Sequence, residues 1–350
     1  MFEIFSVPAI LGQPSKLYFV PTVIYQAVRG TPPHDLNLAC AMGILLVVVV
    51  SFLLYIQSKI LRKRSFITVA GKGLRPKEVD LRWARIPCLF TAFLYLFVSV
   101  VLPYIVLIQS ALREYVYMPN MAAFFSTATL SLSNIKSVLS DSLFWTAMQN
   151  TIVMSVSCGI VGGAFYLTIS YMIHRTKLPG RQLLDYICML PVAVAGLVAG
   201  LAYLWAWISL PIGIYGTVWI LMLAYISRFT PQGLKAVSSS MTQIHPELEE
   251  ASRISGCNAV GTIRRILFPL VKPGVFSAVT LIMLLCVREL SASIFLYTTK
   301  SIVMTVLVYD LWESGAWGAV AVTALCLSFV LLGLVIIARI LLKSELAGQK

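Results

Sequence analysis

Apolar residues in this chain gather in long runs. Leu36 to Ile56 and Trp317 to Ala338 contain no charged residue, and at about 1.5 Å of rise per residue each is long enough, as a helix, to cross the roughly 30 Å hydrocarbon core of a bilayer. Both are too long for a strand. Read the same way, the pattern predicts seven membrane spans, at 36–57, 86–111, 148–173, 183–207, 214–234, 273–296 and 315–341. The fifth is the weakest, since it is short, holds Arg228 and runs into Pro231 and Gly233. Arg228 is expected to reach the interface along its aliphatic stem.

Composition agrees with the pattern. Of 350 residues, 59% are hydrophobic and 12% charged, and the mean hydropathy is +0.88, whereas ordinary soluble domains are roughly 45–50% apolar. A soluble globular protein is excluded, and the expected fold class is all-α, a polytopic integral membrane helix bundle.

The formal charge of +13 has two readings, a nucleic-acid partner or membrane orientation, and the placement of the cations separates them. Of the 27 Lys and Arg residues, twenty fall in the segments 59–85, 175–181, 235–272 and 339–350. Five fall in the segments on the other side of the alternating topology, and Arg228 and Arg288 lie inside proposed spans. That asymmetry is a positive-inside signal, with the C-terminus cytoplasmic and residues 1–35 outside. The seven cysteines form no CxxC pair and six lie in proposed spans, so they read as small buried apolar residues with no metal or disulfide framework.

At an offset of roughly 285 residues the chain repeats itself loosely. Phe2-Glu3-Ile4, Ser6, Tyr25 and an apolar span ending in Lys59 to Lys63 parallel Arg288-Glu289-Leu290, Ser291, Tyr309 and a span ending in Arg339 to Lys343. Residues 1 to about 60 are accordingly expected to be the tail of a first repeat whose beginning is absent, with a complete second repeat from about 86.

The segment 244–269 is the most informative. Pro246 suits a first helical position, Glu247, Glu249 and Glu250 place negative charge at the positive end of the helix dipole, and Gly256 suits a left-handed exit. A short helix follows, too polar on one face for lipid and too short to stand alone, so it is expected to dock on a partner. Val260, Ile263, Ile266 and Leu267 with Arg264 and Arg265 then form an amphipathic piece at the membrane surface, expected to end at Pro269 and Pro273. An interfacial loop without a special role is the competing reading.

Glu250-Ala251-Ser252, three residues, Gly256, nine residues, Ile266, one residue and Phe268-Pro269 resemble the EAA loop of permease subunits of binding-protein-dependent ABC importers. Ser252 and Phe268 stand where that family commonly has Ala and Leu. Asn150-Thr151, Leu248 to Ala251, and Arg288-Glu289-Leu290-Ser291 followed by Leu296-Tyr297 are similar to the fused permeases of ferric-iron importers. The resemblance implies a type I importer permease fold. It also implies a first-half tail at 1–58, a basic cytoplasmic linker at 59–85 that includes Thr68 to Gly73, and a second half at 86–350 with its coupling loop at 235–273. Glu250, Ala251, Ser252, Gly256, Ile266 and Pro269 would carry contact with a cytoplasmic ABC ATPase dimer. ATP and Mg would be held by that dimer, with no cofactor bound by this chain. A periplasmic binding protein would deliver substrate, and the missing first half or a second permease copy would complete the pathway in a bacterial inner membrane.

Ferric iron is the substrate the resemblance implies first, with thiamine, phosphonate, polyamine or sulfate as alternatives; a secondary transporter without an ATPase is the reading from another class. Arg288 and Glu289, expected within the sixth span, have two readings: the substrate path or its gate, or structural pairing with another span. Asp310 and Glu313 read either as a binding-protein contact or as a solvated rim. His34, His174 and His245 fall in three separated loops and do not form a metal cluster in this topology. No GxxxxGK[ST] occurs, so ATP hydrolysis by the chain itself is not expected.

Overall fold

The computed structural model describes residues 5–30, 32, 34–62, 82–113, 130–209, 213, 216–245 and 247–347. The expected linker motif at Thr68 to Gly73, Glu3 of the repeat, and Pro246 lie outside them. Among the described residues the fold is helical, with one isolated backbone bridge between Arg113 and Leu130. The helices are α1 (Val20–Arg29), α2 (Leu36–Arg62), α3 (Arg85–Ala111), α4 (Ser133–Ser140), α5 (Ser142–Arg175), α6 (Arg181–Met189) and α7 (Gly196–Ser209). They continue with α8 (Val218–Arg228), α9 (Thr230–Thr242), α10 (Glu247–Ile254), α11 (Ile263–Val287), α12 (Ser293–Leu296), α13 (Met304–Glu313) and α14 (Trp317–Ala347).

Among the described residues five helices are long and apolar enough to span a membrane: Leu36–Ile56 within α2, then α3, α5, α11 and Trp317–Ile340 within α14. The other two expected spans are corrected. The span at 183–207 breaks after a 3-10 turn at Leu190–Ala193, so that α6 and α7 meet at 110°; counted as one, this pair makes six. The span at 214–234 resolves into the short α8 and the polar α9, separated at Phe229. Pro231 falls at the start of α9, where its missing N–H costs little. The span at 273–296 begins ten residues earlier and ends at Val287. Pro269 sits in the first α-helical turn after the π-helical turn at Ile263–Leu267, and Pro273 lies inside the helix, so neither proline stops it. One proline removes a single backbone bond, which the long apolar helix on either side outweighs.

Two compact units divide the chain. The first comprises residues 1–51, 142–309 and 327–350, the second 52–141 and 310–326. In the first, α11 packs along α5 and α9, which also pack on each other. Small residues permit the close approach, as is common where no water is squeezed out between membrane helices. A Cβ at Gly159 would stand 2.5 Å from Met283 and one at Gly163 2.5 Å from Val279, while Gly274 fits against Ser240. Tyr166 is wholly buried; its ring lies over Gly233, and its hydroxyl donates to the Ile226 carbonyl at 2.8 Å. In the second unit, Asn134 donates to the Arg113 carbonyl at 2.6 Å and packs against Gly318.

The stretches related by the 285-residue offset share an order of elements. A π-helical turn at Pro8–Gly12, the ten-residue α1 and the long α2 parallel the short α12, the ten-residue α13 and the long α14. Tyr25 and Tyr309, the matched tyrosines, meet edge to face at 5.6 Å, with Phe5 against both and Phe295 stacked on Tyr25.

Candidate coupling site

Three acidic residues open α10, where the first-turn N–H groups lack intrahelical partners and favour negative charge. Gly256 at φ +84° ends this segment, and a Cβ there would meet nothing within 4 Å. Its requirement is therefore backbone conformation rather than room. Asn258 accepts from the Gly261 N–H at 2.7 Å and starts the helical turn that leads into α11.

The helix is two-faced. Glu249 and Ser252 are buried, and Ser252 shares a 3.0 Å hydrogen bond with Thr262. Glu250 and Ala251 are exposed, as is Leu248, and Ile254 is 88% exposed. Of the remaining motif positions, Gly256 and Pro269 are exposed and Ile266 is half-buried. The fixed spacing thus reflects a helix, a left-handed exit, and a re-entry into a membrane helix through a π-helical turn at Ile263–Leu267.

A residue the motif does not include holds this segment to the bundle. Arg175, the last residue of α5, brings its Nε to 3.3 Å from Oε1 of Glu249; the two side chains are 6% and 10% exposed. Its Nη2 donates to the carbonyls of Met241 and Ile244 at 2.6 Å each. Met241 lies in the last turn of α9, where carbonyls lack intrahelical donors and a cation opposes the negative end of the dipole. In the sequence Arg175 is one of three basic residues in a short loop, and nothing local to it signals this role.

The second site residues, Arg288 and Glu289, stand differently from expectation. Both lie past the end of α11, Arg288 as its exposed C-cap residue. Glu289 is 8% exposed, and its Oε2 lies 3.5 Å from Nε of Arg228. Oε1 accepts from the Ala292 N–H at 3.0 Å. The Glu289 carbonyl is ringed by hydroxyls of Ser293 (2.8 Å), Thr305 (3.0 Å) and Tyr225 (3.2 Å), and Tyr225 also touches Ser293. Arg228 therefore turns inward rather than to the interface. Its guanidinium lies over Gly196 at the break between α6 and α7, where a Cβ would stand 2.0 Å from a guanidinium nitrogen. The glycine makes room for the ion pair.

Asn150 and Thr151, in the third turn of α5, secure the loop before α13. Asn150 donates to the carbonyls of Lys300 and Ile302 at 2.9 Å each, and Thr151 accepts from the Met304 N–H at 2.8 Å.

Residues 174–344 match the family described as binding-protein-dependent transport system inner membrane component. Over 336 residues the chain is 27% identical to the ferric transport system permease protein FbpB of Actinobacillus pleuropneumoniae, covering 95% of this chain and 47% of that protein. It is 27% identical over 301 residues to a putative ferric transport system permease protein FbpB 1 of Haemophilus influenzae, covering 85% and 46%. A sulfate transport system permease protein CysT of Synechococcus elongatus is 26% identical over 163 residues, 44% of this chain and 59% of that one. The chain spans about half the length of the ferric relatives it matches. Among solved structures, the fold is shared with a bacterial ABC transporter involved in alginate import, at TM-score 0.58 and 17% identity over 76% of this chain and 97% of that one. The MetNI methionine ABC transporter superposes at TM-score 0.50 and 14% identity, covering 59% and 99%.

Proposed function

We propose that this chain, an ABC importer permease most like the ferric type, couples ATP hydrolysis by a cytoplasmic partner to the passage of ferric iron through the inner membrane. The observation that carries the reading is α10. Its outer face shows Leu248, Glu250, Ala251 and Ile254 to solvent, while on its inner face Glu249 pairs with Arg175 at the end of the membrane helix α5 and Ser252 bonds to Thr262. An amphipathic helix held on one side and bare on the other has the form of a plug for a partner's cleft. An ABC ATPase dimer with its own ATP and Mg fits that cleft, on the side to which the positive-inside asymmetry assigns the coupling loop and the C-terminus.

In this reading a periplasmic binding protein delivers substrate, a second permease half or copy completes the pathway, and no cofactor is bound by the chain. Arg288, exposed at the end of α11, faces the substrate path, while Glu289 and Arg228 form the gate beside it. Sulfate is the second substrate reading, favoured by the likeness to a sulfate permease over a shorter stretch.

Purification in mild detergent through a tag on the chain, together with uptake of radiolabelled ferric iron and of sulfate by cells, tests the proposal. An ATPase should co-purify, and Gly256→Asp should abolish uptake while the chain still reaches the membrane. Absence of any ATPase, or unchanged uptake by that variant, refutes it. Uptake of sulfate alone keeps the machinery and replaces the substrate.

A further inference from the structure

The helix α10 is hung between two pivots. On one side Gly256 is in the left-handed conformation; on the other only residues 243–246 separate α10 from α9. Torsion changes at such junctions are cheap, so a push on α10 would by default be absorbed there rather than passed on. The buried Ser252–Thr262 hydrogen bond does not prevent this, because Thr262 belongs to the helical turn that follows the Gly256 pivot. A rigid tie to the bundle has to come from outside the segment.

We propose that Arg175 is the positioning residue that passes the movement of α10 into the membrane helices, an inference that rests on the coupling role proposed above. Its guanidinium is planar and presents donors in a fixed fork. One edge pairs with Glu249 of α10, and Nη2 donates to Met241 of α9 and Ile244 beyond it. The side chain itself grows from the end of α5. Four pieces of backbone meet on one buried cation, and displacement of any one stretches contacts to the others.

The route onward is built from the same chain. From Met241 the helix α9 runs back to Thr230, about 17 Å at the α-helical rise. Two residues further lies Arg228, paired with Glu289 over the break between α6 and α7. Motion taken up at the Arg175 clamp is thereby delivered to the second buried ion pair, next to a break in the membrane helices. Lysine replaces arginine only in part here: its single ammonium keeps the charge but lacks the spread of donors by which Nε faces the carboxylate while Nη2 serves two carbonyls.

The complex is purified from its native host through a tag on this chain and reconstituted in liposomes. ATP hydrolysis is then measured with and without the loaded binding protein, alongside uptake. Glu249→Gln removes the charge pair but leaves the Arg175 bonds to the carbonyls in place. It should preserve folded yield, ATPase stoichiometry, the KM for ATP and basal hydrolysis to within about two-fold, while stimulation by the binding protein and uptake fall at least about five-fold. Arg175→Met should fall further, and Arg175→Lys should recover part of the stimulation. If Arg175→Met does not fold, Glu249→Gln carries the test alone. Full stimulation in Glu249→Gln, loss of the ATPase from that complex, or uptake that falls only in proportion to folded yield would overturn the inference. An unmodified complex that contains no ATPase would instead refute the underlying coupling role.

Discussion

Replacing Glu289 with alanine strands the Arg228 guanidinium between helices with its carboxylate partner gone. Removing one partner of a buried pair costs roughly 3–5 kcal/mol, because the remaining charge is left without compensation. Arg228 keeps 15% of its side chain exposed, which lets some water or headgroup reach it and argues for the low end, about 3 kcal/mol. Loss of the acceptor for the Ala292 N–H adds about 1 kcal/mol. The hydroxyls of Ser293, Thr305 and Tyr225 are untouched, since they address the main-chain carbonyl of residue 289. At about 2 °C per kcal/mol for a large chain, the total of about 4 kcal/mol predicts a loss of about 8 °C. Thermal unfolding in detergent can be followed with a thiol-reactive dye that reports exposure of the buried Cys158 and Cys286. The control is Arg228→Met with Glu289→Gln, which removes both charges and leaves a side-chain carbonyl for Ala292; it should unfold within about 2 °C of the parent, because a neutral pair carries no desolvation penalty. A single variant as stable as the parent, or a double variant as unstable as the single, refutes the assignment of the pair as a buried electrostatic contact.

Gly233→Ala places a methyl 2.2 Å from the buried Tyr166 ring. Overpacking of this kind costs about 1–3 kcal/mol, so the same thermal assay should show a loss of several degrees, and Tyr166→Leu should relieve part of it. Asn150→Ala removes donors to two carbonyls at about 1 kcal/mol each. Faster protease cleavage near residue 300 should accompany it. At Gly256, Ala should be tolerated poorly for conformational reasons alone, at about 1 kcal/mol for a left-handed residue, whereas Asn should be milder; uptake by the two variants ranks them.

Patterning in one dimension shows most of the architecture. Leu36–Ile56, α3 and α14 are legible because an apolar run longer than about 20 residues has few other fates. The helix at Glu247–Ile254 is equally legible, because first-turn acids and a left-handed exit act within a few residues of each other. Spans interrupted by local chemistry are not. Hydropathy averages over the break at Ala193–Gly196 and over the junction at Phe229, since a window sees composition and not direction. Glu289 is expected within a span for the same reason: apolar residues continue on both sides of it, but the helix stops at Val287, and the chain turns so that hydroxyls surround the Glu289 carbonyl.

What the chain determined by itself was a helical membrane protein whose basic residues gather in alternate segments between apolar runs, with a short acidic-fronted helix ending at a left-handed glycine, all properties of neighbours along the backbone. What only the tertiary structure decided was which charges meet. Arg175 and Glu249 are 74 positions apart, and Arg228 and Glu289 are 61 apart. Each pair is tolerated in an apolar interior only because helix packing brings the opposite charge within 4 Å and, at Gly196, leaves out a side chain to make room. Coulomb attraction in a low-dielectric interior depends on distance in space, which separation along the chain does not encode.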